Sequence, residues 1–253
     1  MTEFERNIIG GGFCSIFSSI GCIGDSLSSG ELEYTKDNGE KGYWDFFEYS
    51  WGQFLSKATG CKVYNFSRGG LTAKTFHVYA DENNVFTKEN ACQAYIIALG
   101  VNDILNHPQN ATGTIDDIDF ENPENSKDNF AGEYAKIIQK IKLLEPEAKI
   151  FVMTFPDETG RSDEKVRVAK EHASFLYKLS EVFDNTYVLD LSKYAPVYDE
   201  EYRKKYFLGG HMNVMGYYLT AQYVMNGIDC IIRDNTEDFV KSGLIGTGFN
   251  NNN

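Results

Sequence analysis

Paired cysteines are missing from this chain. Its five cysteines, Cys14, Cys22, Cys61, Cys92 and Cys230, are odd in number, widely spaced and free of any C-x-x-C pair, so neither a disulfide framework nor a zinc site is signalled. Three of them lie within or beside apolar, strand-like runs and read as small core residues. Runs of lysine or arginine are missing too, and 24 basic against 37 acidic residues leave a formal net charge of -13. That field repels nucleic acid and anionic membrane surfaces and leaves a neutral or weakly charged substrate as the natural expectation. Acidity of this kind also serves solubility alone. No apolar run is long enough to span a bilayer. The amino terminus, Met1-Thr2-Glu3-Phe4-Glu5-Arg6, is acidic where a secretion signal is basic, and Gly10 to Gly12 interrupt the apolar stretch behind it. The cytoplasm is the default reading, with a removed leader left open. There is no internal repeat, and the only low-complexity stretch is Asn250 to Asn253.

What the chain does have is a regular alternation of short β-prone runs and helical periodicities. At 253 residues it is long enough for one α/β domain with a full core. The expected layout is a single domain over 1–253, with 1–15 as an amino-terminal extension and 235–253 as a tail. Strands are expected before Gly24, over Lys62 to Phe66, Ala94 to Leu99, Lys149 to Met153 and Tyr187 to Leu191. Between the first two, Glu31 to Gly42 reads as a polar loop. Tyr43 to Thr59 reads as a helix, with Phe47, Trp51, Phe54, Leu55 and Ala58 at helical spacing and Gly60 ending it. Its aromatics are too many for one stripe, so the helix is expected to be buried on more than one side. A substrate platform or a dimer contact is the alternative. Further helices are marked by Phe130 to Ile141, by Val166 to Phe183, and by the stretch from Asn213 through Ile232. Ile104 to Asn129 is a long acidic connection suited to a binding loop or a cover. Such alternation argues for a parallel sheet covered on both faces; order 2-1-3-4-5 sets the first three strands side by side.

One stretch stands out, Ser18 to Gly30, where an apolar run stops at Gly24 and delivers Ser26 into a turn. A serine at the carboxyl end of a buried parallel strand lies where open α/β sheets bind ligands, which makes Ser26 a candidate nucleophile. A phosphate cradle wants a lysine after its second glycine, and here Gly30 is followed by Glu31. The G-x-S-x-G elbow is also absent. A plain strand-to-turn junction stays open, because Gly, Asp and Ser fill turns for local reasons. Two other strand ends carry suitable groups. Gly69 and Gly70 follow the second strand and can aim a backbone N–H at a ligand. Asn102 follows the third strand and can donate to an oxyanion or form an Asx turn.

A serine needs a base, and there are four histidines. His172 and His77 fall within helices and His107 in a polar loop. His211 stands just before a helix start, with Asn213 as a plausible N-cap and Gly209 and Gly210 ahead of it. It reads as the base, a capping-loop histidine being the alternative.

Gly24-Asp25-Ser26-Leu27, the Asn65 to Thr72 stretch with Gly70, Gly100-Val101-Asn102-Asp103 and His211-x-Asn213-x-x-Gly216-Tyr217 together resemble, in chain order, the blocks of the SGNH (GDSL-type) hydrolases. The resemblance implies a flavodoxin-like three-layer α/β/α fold and ester hydrolysis. It makes Ser26 the nucleophile, His211 the base, and the N–H groups of Ser26 and Gly70 with the Asn102 side chain the oxyanion donors. It departs from the family at Leu208, where an aspartate three residues before the histidine is usual. A backbone carbonyl or one of Asp190, Asp199, Glu200 and Glu201 is then expected to orient the imidazole. The function expected is a serine esterase for a small acyl ester, acetyl on a saccharide for preference. The alternatives are a catalytically inactive glycan- or acyl-binding protein, or a lipid esterase, thioesterase or acyltransferase. This reading calls for no cofactor and no metal, and for a small-molecule or saccharide partner rather than nucleic acid or membrane; a homo-oligomer stays open.

Overall fold

β1 (Ser19–Gly24) is hydrogen-bonded along both edges, to β4 (Lys62–Ser67) on one side and β5 (Ala94–Ala98) on the other, both parallel to it. β6 (Lys149–Met153) and β7 (Thr186–Leu189) extend the sheet to the order β4-β1-β5-β6-β7. The computed structural model describes residues 11–249. Met1 to Arg6, most of the expected amino-terminal extension and the asparagine run 250–253 lie outside the described residues. The expected parallel sheet and its strand order are present, and the sheet carries helices on both faces.

The inner strands β1, β5 and β6 are largely apolar because each face is covered, while the edge strand β4 keeps Lys62 exposed. Side chains alternate between two cores, as period-two geometry requires. Ile23, Tyr95, Ile97, Ile150 and Val152 face one core with α3 (Ala73–Glu82), α4 (Phe130–Leu144) and α5 (Asp163–Val182). Cys22, Ile96 and Phe151 face the other with α2 (Trp51–Thr59) and α8 (Val214–Asp234). Cys14, Cys22, Cys61 and Cys92 are buried free thiols, and Cys230 is partly buried. The helix starts follow from local chemistry: Ser50, Thr72, Asn129, Ser162 and Asn213 each accept an N–H of the first turn.

The structure departs from the sequence reading between β1 and α2. Residues expected to be a loop and the first turns of a helix form an antiparallel hairpin, β2 (Glu31–Thr35) with β3 (Lys41–Asp45). The helix begins only at Trp51, after a short turn at Phe47–Tyr49. Tyr43 and Trp44 therefore sit on a strand, 47% and 63% exposed, and not on a helix buried on several sides. The fifth sheet strand also ends earlier than expected, at Leu189, because Asp190 caps the short α6 (Leu191–Tyr194). Ile104, Leu105 and Ile118 of the long connection are buried in the core, and Asp117 ties the rest down through Lys127 and Asn129.

At the amino ends of the strands, α9 (Thr236–Phe239) turns back under the sheet. Phe239 is buried against Phe17, Phe151 and Tyr187, and Gln93 Nε2 donates to the carbonyl of Ile245. Removing a buried aromatic ring leaves a cavity as well as lost transfer energy. Phe239→Ala is therefore expected to cost about 3–5 kcal/mol in urea unfolding, whereas exposed Phe249→Ala changes stability by less than about 0.5 kcal/mol.

Candidate active site

The chain leaves β1 at Gly24 and turns at once into α1 (Ser26–Ser29). A Cβ on Gly24 would stand 2.3 Å from Ser28 Oγ, so only glycine lets the turn fold back onto the strand end. Asp25 caps α1, its Oδ1 accepting the Leu27 N–H at 2.9 Å, and its carbonyl accepts the N–H groups of Ser28 and Ser29. Ser26 is the first residue of the helix, where a backbone N–H has no intrahelical partner. Its side chain is half-buried.

Beside it, the end of β4 is pinned to β1 by Ser67 Oγ donating to the Cys22 carbonyl at 2.9 Å. The loop that follows turns at Gly70, whose φ of +77° favours glycine although nothing crowds its Cβ. On the other side, β5 runs into a π-turn at Val101–Leu105 that carries Asn102. Asn102 Nδ2 donates to the Leu71 carbonyl at 3.2 Å and lies 3.4 Å from Asp25 Oδ2. The ends of three adjacent strands are thus knitted together, and Ser26, Gly70 and Asn102 occupy one edge of the sheet. Asp103 braces the cluster by accepting the Ala73 N–H at the start of α3. Burial raises the carboxyl of Asp25 to about 7 and that of Asp103 to about 6.

The histidines separate as follows. His107 is exposed. His77 lies 3.2 Å from Glu133 on α4. His172 is buried in the core, stacked on Phe155 at 4.0 Å, and desolvation lowers its pKa to about 3. His211 lies at the sheet edge, on a two-residue ladder in which β8 (Phe207–Leu208) pairs with β9 (His211–Met212). The ladder sets Leu208 directly opposite His211, and Leu208 is 44% exposed.

A carboxylate nevertheless meets the imidazole. Glu31 of β2 places Oε1 3.0 Å from His211 Nε2. The next outward-facing acid of the same strand, Glu33, accepts the Gly210 N–H at 3.0 Å and pairs with Lys41. The four acids expected from the sequence are engaged elsewhere. Asp190 accepts from Thr154, Tyr177 and Ser192; Asp199 caps α7 (Glu200–Tyr206); Glu200 and Glu201 pair with Lys204 and Lys205 one turn on. Tyr217 closes the arrangement, its hydroxyl donating to the Glu31 carbonyl at 2.6 Å and standing 3.3 Å from that of Ser26. Burial lowers the pKa of His211, with Glu33 and Asp45 opposing.

A cavity of about 470 Å³ opens beneath the edge. Its wall includes Asp25 and Leu27, the neighbours of Ser26, and Gly210 and Met212, the neighbours of His211. Leu99, Val101 and Phe155 make much of it apolar. Among the described residues no three His, Cys, Asp or Glu side chains are grouped so as to hold a metal ion, and no helix is long and apolar enough to cross a membrane.

The sequence matches the GDSL-like Lipase/Acylhydrolase family over residues 22–219, from β1 into α8. The chain belongs to this family. It is accordingly an ester hydrolase of the serine type. No curated protein matches the sequence, but solved structures share the fold. A G-D-S-L family protein from Desulfitobacterium hafniense DCB-2 is 16% identical with a TM-score of 0.52, over 83% of this chain and 99% of that one. A possible lipase from Chitinophaga pinensis DSM 2588 is 17% identical at 0.56, over 86% and 98%. A family two carbohydrate esterase from Clostridium thermocellum, solved with cellohexaose, is 14% identical at 0.56, over 87% and 65%.

The buried carboxyls tie stability to pH. A carboxyl whose folded pKa is raised favours the native state below its unfolded value, near 4, and that contribution fades as pH rises through the folded value. For Asp103 and Asp25 the window closes at about 6 and about 7. Asp25→Asn keeps an acceptor for the Leu27 N–H, so it is expected to shrink the fall in thermal midpoint between pH 5 and pH 8. An unchanged fall would show that Asp25 ionises without penalty.

Proposed function

We propose that Ser26 is the nucleophile, His211 its general base, and the N–H groups of Ser26 and Gly70 with the Asn102 amide the oxyanion donors. The observation that supports this reading is that Asn102 reaches both the Leu71 carbonyl and Asp25, the residue before Ser26, and so joins three adjacent strand ends. Ser26 Oγ attacks the ester carbonyl while the imidazole takes its proton, and the carbonyl electron pair moves onto oxygen. Those donors then stabilise that charge, Asn102 by giving up its long 3.4 Å contact with Asp25. Collapse expels the alcohol, protonated by the imidazolium, and water repeats the sequence on the acyl-enzyme. The serine–imidazole hydrogen bond is open in this conformation; such bonds commonly tighten only as substrate arrives.

The substrate is an acyl ester of a saccharide, acetate for preference. The support is Tyr43, half-exposed and set edge-on to His211 with ring centroids 5.4 Å apart, which offers an apolar face to a sugar ring beside the base. A longer acyl chain is the second reading, favoured by the apolar cavity whose wall flanks both Ser26 and His211. Turnover of acetylated saccharides against p-nitrophenyl esters from acetate to decanoate separates the two. A maximum at octanoate or beyond, with no release of acetate from sugars, overturns the first.

Two substitutions test the residues. Ser26→Ala is expected to abolish both turnover and fluorophosphonate labelling with the unfolding midpoint unchanged, and retained turnover removes Ser26 from the mechanism. Asn102→Ala is expected to lower kcat by about 100- to 1,000-fold at nearly constant KM, the effect of one lost oxyanion donor. A change confined to KM would make Asn102 a ground-state binding group.

A further inference from the structure

The chain leaves β6 at Met153 and supplies one wall of the cavity before it enters α5. This loop is fastened to the segment ahead of α7. The Tyr198 N–H donates to the Asp157 carbonyl at 2.7 Å, the Thr159 N–H donates back to the Tyr198 carbonyl at 3.2 Å, and Glu158 and Tyr198 form a parallel bridge. Ser162 then caps α5. Arg161 is therefore held between a bridge and a helix cap. It lines the cavity together with Lys165, from the first turn of α5, and Arg203 of α7. Asp25 and Leu27 line the same cavity, so the nucleophile turn and the cations open on one space.

The protein does not fully answer this charge. Glu158 is shared between two guanidiniums, its Oε2 3.3 Å from Arg161 Nε and its Oε1 2.6 Å from Arg203 Nε. Among the described residues that one hydrogen bond is all that Arg161 makes, and the other N–H groups of its fork have no protein acceptor. Yet its side chain is only 8% exposed, where an unanswered charge is costly. Lys165 forms no ion pair among the described residues. The other carboxyl on the wall, Asp25, is held up to about 7 by burial, and Asp157, Asp163 and Glu164 are exposed and do not line the cavity. A chain of net charge -13 thus gathers cations beside its nucleophile turn. The acidic surface is screened over about 10 Å at roughly 0.1 M salt, so the neutral substrate expected from overall charge does not follow for a group seated in the cavity.

We propose that the ester taken by this site carries a carboxylate, received by the guanidinium of Arg161 with the ammonium of Lys165 beside it. The inference rests on the Ser26 reading and deepens it: the carboxylate selects the substrate, and the ester chemistry is unchanged. A planar guanidinium matches the two oxygens of a carboxylate, and Glu158 holds the group through Nε, leaving the terminal nitrogens for the substrate. Arg203, which lies over the Phe207 ring, holds Glu158 in turn and is a positioning residue. The carboxylate belongs either to a dicarboxylic acyl group or to an acidic saccharide, and both present the same charge to Arg161.

Paired substrates test this in the wild-type protein. p-Nitrophenyl hydrogen adipate against p-nitrophenyl hexanoate puts the charge on the acyl side; O-acetyl methyl glucuronoside against O-acetyl methyl glucoside puts it on the alcohol. In one pair kcat/KM is expected to favour the carboxylate by about 10- to 100-fold, the effect of a hydrogen bond to a charged group, and that pair names the source. p-Nitrophenyl 6-aminohexanoate, the cationic counterpart, is expected to fall below the hexanoate. Equal values within both pairs, or a preference for the ammonium ester, overturn the proposal. Arg161→Gln is expected to lower the carboxylate-to-neutral ratio by about tenfold or more. Lys165→Glu, a charge reversal at a partly exposed position, is expected to do the same and answers the question should Arg161→Gln not fold. A ratio unchanged in either folded variant overturns the assignment. If Ser26→Ala is inactive on every ester while the wild-type protein ignores the carboxylate, this inference alone falls; if Ser26→Ala stays active, the reading beneath it falls as well.

Discussion

β1 is bonded on both edges, and everything at the site depends on that. A strand flanked by two parallel neighbours can end only by leaving the sheet at its carboxyl edge, and the chains beside it must leave there too. Gly24, Ser67 and Ala98 are aligned in register, so the two outer segments each depart one strand spacing from the end of β1. What differs is how each departs: β1 into a capped helical turn, β4 into a glycine turn, β5 into a π-turn. Asn102 and Ser67 reach sideways and fasten them. The site is thus a property of the sheet's edge, not of any one loop.

The sheet was legible because its strands are short apolar runs between turn residues and covered on both faces, a situation that tertiary packing reinforces. The first three family blocks were legible for the same reason, each following the end of a sheet strand. The hairpin was not. Phe47, Trp51, Phe54, Leu55 and Ala58 keep a helical spacing, and carrying that helix back to Tyr43 outweighed a local signal that was present: Asp37-Asn38-Gly39 between alternating residues, with Gly39 at φ +83°. Glu31 was missed with it. Reading 31–42 as a loop hid the fact that Glu31 and Glu33 share a face, and only that face brings a carboxylate to His211. The acids nearest His211 in sequence are spent on caps and on pairs one turn away, which sequence distance does not reveal.

Charge at the site is arranged in two tiers. Asp25 and Asp103 are buried beside Asn102 and Ala73 and raised by desolvation, while Glu31, Glu33 and Asp45 line one face of the hairpin. Were Asp25 fully ionised, its charge would oppose an oxyanion forming near Asn102; the burial that makes it costly to ionise also mutes that opposition. The acids at the histidine act in the other direction, Glu33 and Asp45 favouring the charged imidazole of His211.

The hydroxyl of Tyr217 reaches the carbonyl of Ser26 across 191 residues of chain. Contacts so remote in sequence repay their loop-closure cost only after the intervening strands have paired. The Ser26 turn and the histidine loop therefore meet at the end of folding, and a partly built sheet, however rich in secondary structure, leaves them apart. Recovery of esterase turnover on refolding reads the closure of the whole chain, where circular dichroism reads its pieces.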